Sequence, residues 1–331
     1  MRIGIMGVHY GHIGGMFRSA VDAPSGEIVG IVEPDDALYE KYAASQSITR
    51  YQSLDEMIDG ARPDLVMEGL NHAEKADVVE ACAAAKINIL LDKPLCATEA
   101  EFRRIQAAVK ANEIRLSMFF TSRSHPPFIA LRDAILSGEL GEIVSLISTH
   151  PHKLSASAPS WYFDQNTYAG TFHDLAGHGV DQVRWLSDAE YTGVHALGTC
   201  KKHPTLAADH VQASYRLSSG ALAQLTADWL TPKPSPSFGD TRFIIMGTKG
   251  SAHLRAYAEN HVHIVSEARG VYEPAFPTSR NTQFVENMIN AFSRGEENFI
   301  STTDVLGVAR ACLAAEASAR KGGEFLEIEN D

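Results

Sequence analysis

The sequence predicts an α/β chain, with a Rossmann-type doubly wound parallel sheet over 1–122 and an α+β domain over 123–331 built on a large, mostly antiparallel, open-faced sheet. Three observations predict it. Short apolar segments alternate with helical patterns through the first third, the first of them runs into a glycine-rich turn, and beyond residue 190 long alternating segments are joined by turn residues.

Ile3-Gly-Ile-Met6 reads as a strand ending at Gly7, with a helical pattern from Met16, the context in which a helix N-terminus receives a pyrophosphate. Two glycine registers fit the loop. Gly7-x-His9-x-x-His12 keeps one glycine, whereas Gly7-x-x-x-Gly11-x-x-Gly14 restores the others; both put Tyr10 in the same loop. The next strand, Glu27 to Val32, ends at Glu33, whose carboxylate suits a ribose diol and repels a 2′-phosphate, so NAD is expected over NADP.

The alternation continues with helices over Asp35–Ser45, from Ser53 (N-cap, with Glu56 in capping-box position), over Ala73–Ala85 and from Thr98 to Asn112. Strands are expected at Asp64–Met67, Ile87–Leu91 and Leu116–Phe120. Ligands of such sheets sit at strand carboxyl ends, where Gly7–His12, Asn71-His72 and Asp92-Lys93-Pro94 fall.

From Arg123 the pattern changes. Pro126-Pro127 precedes a helix over Phe128–Leu136, and Ile143–Thr149 is a strand. Loops over His150–Asn166 hold His152, Trp161 and Tyr162, and a helix then runs to Leu186. On that helix Asp174 and His178 are four apart and share a face with Asp181, a pairing that can orient and deprotonate a hydroxyl. Alternating segments from Tyr191 to Ser266 form the second sheet, interrupted by the proline-rich Thr231–Asp240 arm. Helices at Asn281–Ser293 and Thr303–Arg320 close the chain.

Bulk properties exclude several classes. A net charge of −12 argues against a nucleic-acid surface. No stretch approaches a membrane span or a signal peptide, and four scattered cysteines without a C-x-x-C pair argue against zinc or a disulfide framework. The expected location is cytoplasmic, with no metal. A sheet with one bare face predicts a homodimer or homotetramer formed through it.

Asn71-His72, Asp92-Lys93-Pro94, Arg123, Pro127, Gly138-x-x-Gly-x-Ile143, the Gly170–Asp181 helix and Gly247-Thr-Lys-Gly250 occur in one register along the chain. Together they resemble the Gfo/Idh/MocA family of nicotinamide-dependent sugar and polyol dehydrogenases, with aspartate at 92 in place of glutamate. The resemblance implies Lys93 as the catalytic lysine and His178 as acid/base, with Asp174 holding a secondary alcohol between the domains. It also implies a cofactor along Gly7–His12, Glu33, Asn71, His72 and Asp92–Pro94. Arg123, His152, Trp161 and Tyr162 are the expected substrate contacts. Two alternatives share the fold: a non-catalytic NAD and sugar sensor, and an NAD-dependent glycosidase.

Overall fold

Strands that are apolar on both sides can be buried only between helical layers, and the first third of the chain is built that way. The computed structural model describes residues 1–9, 11–156, 158–277 and 283–330; Tyr10 lies outside them. Strands β1 (Arg2–Met6), β2 (Glu27–Val32), β3 (Arg50–Tyr51), β4 (Leu65–Glu68), β5 (Asn88–Leu91) and β6 (Leu116–Met118) form a parallel sheet in the order β3-β2-β1-β4-β5-β6. Ile3, Ile5, Leu65, Val66, Met67 and Ile89–Leu91 are fully buried in it. The reversal of order beside β1 is the switch point at which such sheets open a crevice.

Helices α1 (Ile13–Val21), α2 (Asp36–Tyr42), α3 (Leu54–Ala61), α4 (Lys75–Ala84) and α5 (Glu99–Asn112) connect these strands. Their starts follow local chemistry. Ser53 accepts from the Glu56 N–H, and Thr98 forms a full capping box with Glu101. Two expected helices are shorter than the periodicity suggested. Asn71 Oδ1 accepts from the Ala73 N–H at 3.0 Å, an Asx turn that delays α4 to Lys75. The segment after β2 leaves the α-helix at Tyr42 for a 3-10 turn over Ala44–Gln46, closed by Ser47 in the left-handed region.

The second unit is built from α6 (Pro126–Leu136), β7 (Ile143–Pro151), α7 (Thr171–Ser187), β8 (Tyr191–Thr199), β9 (His210–Leu217), β10 (Leu222–Asp228), β11 (Thr241–Gly247), β12 (Gly250–Ala256), β13 (His261–Ser266) and β14 (Gly270–Tyr272). Helix α8 (Phe284–Ser293) belongs to the first unit, α9 (Thr302–Arg320) starts there and continues into the second, and β15 (Leu326–Glu327) ends the second sheet. Residues 166–169 also cluster with the first unit. Of the helix expected at Asn281–Ser293, the first two residues lie outside the described ones.

The nine strands run β14-β13-β12-β11-β7-β10-β9-β8-β15, with only β7 and β10 parallel. Three local expectations change. Pro126 and Pro127 form the first turn of α6 instead of preceding it, since the first helical positions need no N–H donor. His150 lies in β7, not in a loop. The proline-rich arm folds back along β7's continuation, with the Lys153 N–H donating to Phe238 O at 2.9 Å and the Thr231 N–H to His152 O at 3.2 Å.

Helix α7 packs on β7 through Gly179, where a Cβ would sit 2.0 Å from His150 Nε2. That ring is fully buried and bonded to Ser148 Oγ at 2.9 Å. Burial, with His152 adding to it, pushes the His150 imidazole down to about 3. The unfolded chain takes up this proton near about pH 6.5, so stability is complete above that value and falls as pH drops toward 3. His150→Gln should flatten the loss of stability between pH 6.5 and 4 in urea unfolding curves; an unchanged acid slope would refute the assignment.

Candidate functional site

In the first unit the strand ends bring four of the expected segments to one edge of the sheet. Gly7 turns the chain after β1 at φ +72°, and a Cβ there would meet Leu70 at 2.2 Å. The loop lies against the end of β4, with the His9 N–H donating to Gly69 O at 2.8 Å. Helix α1 begins at Ile13, so the loop has the longer of the two lengths considered. Its first turn carries no acidic residue and no side-chain cap, and the Gly11 Cα faces open space. A helix start without an acidic side chain, following a glycine turn, suits a pyrophosphate.

Buried carboxylates organise this edge. Glu33 Oε2 accepts from the Val8 N–H at 2.8 Å, while Oε1 faces His9 Nε2 and the Asp35 N–H, each at 2.9 Å. Asp92 Oδ1 accepts from the Lys93 N–H at 2.8 Å and pairs with His12 Nδ1 at 2.9 Å. This ties the glycine loop to the turn that carries Lys93 and Pro94, a cis pair. His72 Nδ1 accepts from the Ala169 N–H at 3.2 Å, and its ring stacks on Tyr168 at 5.5 Å.

Beneath lies a pair that sequence reasoning missed. Lys75 Nζ sits 3.0 Å from Glu68 Oε2 and donates to Asp92 O at 2.6 Å, with both side chains fully buried. Burial pushes the Glu68 carboxyl up to about 7 against the pull of Lys75. The signal was an acidic residue closing the apolar strand Leu65-Val-Met67, seven positions before a lysine in a helix's first turn.

In the second unit α7 is buried around most of its circumference; Asp174 is fully buried and His178 half-buried. The start of the helix is capped from outside by Glu316 of α9, which accepts from the Phe172 N–H at 2.8 Å and the His173 N–H at 3.3 Å. Gly170, at φ +100°, admits this carboxylate because a Cβ would lie 2.4 Å from it. Asp181 is clamped by Arg123, with Nε–Oδ2 at 2.9 Å and both side chains buried. Arg123, one of the expected substrate contacts, forms a charge pair that fixes α7; a buried aspartate one turn from His178 needs its counter-charge.

His152, Trp161 and Tyr162 do come together. Trp161 and Tyr162 pack edge-on at 4.4 Å, Tyr162 lies 6.0 Å from Trp229, and His152 packs edge-on to Trp229 and Phe238. The sequence reading did not single out Trp229, two residues before the proline-rich arm, or Phe238, within it. Lys93 belongs to the first unit; Asp174 and His178 belong to the second. Among the described residues no cluster of three His, Cys, Asp or Glu could hold a metal, and no helix is long and apolar enough to cross a membrane.

Removing Lys75 would leave Glu68 without its counter-charge. Lys75→Met should cost about 3–5 kcal/mol at pH 8 and less at pH 5, where Glu68 takes a proton. Adding Glu68→Leu should recover most of the loss. Denaturant midpoints of the three proteins at the two pH values check this.

Residues 1–120 match the oxidoreductase family with an NAD-binding Rossmann fold (GFO/IDH/MocA), and residues 128–253 match the C-terminal domain of that family. The chain is 29% identical to a myo-inositol dehydrogenase of Streptomyces leeuwenhoekii over 97% of its own length and 98% of that protein's. It is 27% identical to an uncharacterized oxidoreductase of Schizosaccharomyces pombe over 63% of its length, spanning 57% of that protein. A solved levoglucosan dehydrogenase in complex with NADH superposes with a TM-score of 0.86, at 21% identity and full coverage of both chains. With both of its domains matching in order, the chain belongs to the Gfo/Idh/MocA family of NAD-binding oxidoreductases.

Proposed function

We propose that the protein oxidises a secondary alcohol of a sugar, inositol or related polyol, or reduces the corresponding ketone, with NAD as cofactor. The observation that carries this reading is the pairing of Asp174 and His178 on α7, a helix whose start and middle are fixed by Glu316 and by the Arg123–Asp181 clamp.

A bound nicotinamide supplies the hydride acceptor. His178 takes the hydroxyl proton as general base. Lys93, as an ammonium at the end of β5, stabilises charge developing on the substrate oxygen. Asp174 accepts a hydrogen bond from a neighbouring hydroxyl, which favours substrates with more than one. The half-buried Trp161 and Tyr162 rings offer apolar surface of the kind that packs against sugar C–H groups. Gly7–His12 receives the phosphates and Glu33 the adenosine ribose; Asn71 and His72 border the cofactor's path.

His178→Ala and Lys93→Ala should each lower turnover by about 10²–10⁴ while NAD binding stays within a few-fold of wild type. Assays of nicotinamide reduction across sugars, inositols and sugar acids, paired with NAD titrations, check this. Full turnover in both variants would reject the mechanism.

We also propose that a second copy covers the outer face of the second sheet. Ile147 pairs with Ile244 at its centre, beside Met246, Leu222 and Gln224, on an exposed face. Ile244→Asp should shift the protein toward monomer by light scattering, and a monomeric wild type would reject the proposal.

A further inference from the structure

Glu33 is the carboxylate that the end of β2 offers to a ribose diol, yet its side chain is fully buried. Three donors already hold it: the Val8 N–H, the Asp35 N–H and the His9 ring. Two of these are backbone groups that cannot leave without refolding the loop. His9 is the third, a half-buried side chain with Nε2 2.9 Å from Oε1, and it can rotate away about its own bonds.

We propose that His9 is a specificity-determining residue for the cofactor: it holds the Glu33 oxygen that a free ribose 2′-hydroxyl must take, so NAD binds by displacing it. The proposal rests on the nicotinamide reading above. A 2′-hydroxyl is a donor and can replace the imidazole at Oε1. A 2′-phosphate has only acceptor oxygens once ionised and carries charge of the same sign as Glu33, so it gains nothing from the exchange. With His9 in place the carboxylate is screened from such a phosphate; with His9 removed it is bare. The residue therefore weakens NAD binding and narrows the difference between NAD and NADP.

The experiment is a fluorescence titration of wild type, His9→Ala and His9→Asn with NADH and NADPH. In both variants the NADH Kd should fall about tenfold, the effect of freeing one hydrogen bond to a charged acceptor. The NADPH Kd should stay level or rise, so the NADPH/NADH ratio climbs at least tenfold. An unchanged or weaker NADH Kd overturns the proposal, as does loss of all binding in the variants. Equal tightening for both cofactors also overturns it, since His9 would then be only a steric plug. If wild type binds neither NADH nor NADPH, the nicotinamide reading itself falls, and the proposal falls with it.

Discussion

A carboxylate removed from water must be met by donors or by a cation, and that constraint shapes both units of this protein. Desolvating such a group costs several kcal/mol unless partners are supplied. At the carboxyl edge of the first sheet Glu33, Glu68 and Asp92 are all buried, and the loops between strand and helix are folded around them. Glu33 holds the glycine loop through Val8 and His9; Asp92 joins that loop, through His12, to the turn with Lys93. Lys75 sits below, touching both Glu68 and the backbone of Asp92. The glycine loop and the lysine-bearing turn are thereby parts of one hydrogen-bonded framework.

The second unit uses the same device around α7. Glu316 closes the helix start from α9, Arg123 clamps Asp181, and Asp209 accepts from three successive backbone N–H groups over Lys201–His203. Two glycines make the geometry possible. Gly170 leaves room for the Glu316 carboxylate, and Gly179 lets the helix approach the neutral, buried His150. The polar stripe with Asp174 and His178 is therefore held at the start and the middle of α7.

Much of the fold was legible because its signals are local. Buried parallel strands announce themselves as short apolar runs, and Ser53, Thr98 and Glu101 mark helix starts within four residues of their partners. Where a local reading failed, another local interaction had won. The Asx turn of Asn71 held back α4, and the prolines at 126 and 127 entered α6 because its first positions need no donor. The short strands β3, β14 and β15 carried too few residues for alternation to register, and neighbouring strands define them.

By itself the sequence determined the order of elements and which residues stand at strand ends: Glu33, Asn71-His72 and Asp92-Lys93-Pro94, together with the shared face of Asp174 and His178. Periodicity and capping act over a few residues, so they can be read without a partner in view. Only the tertiary structure decided what those groups touch. Glu33 turns to His9 across 24 positions, Asp92 to His12 across 80, Arg123 to Asp181 across 58, and the α7 start to Glu316 across 144. The physical reason is that burial creates the demand for a partner, and burial exists only once distant segments have packed. Nothing local to Arg123 announces its partner, because the aspartate it neutralises stands 58 positions away.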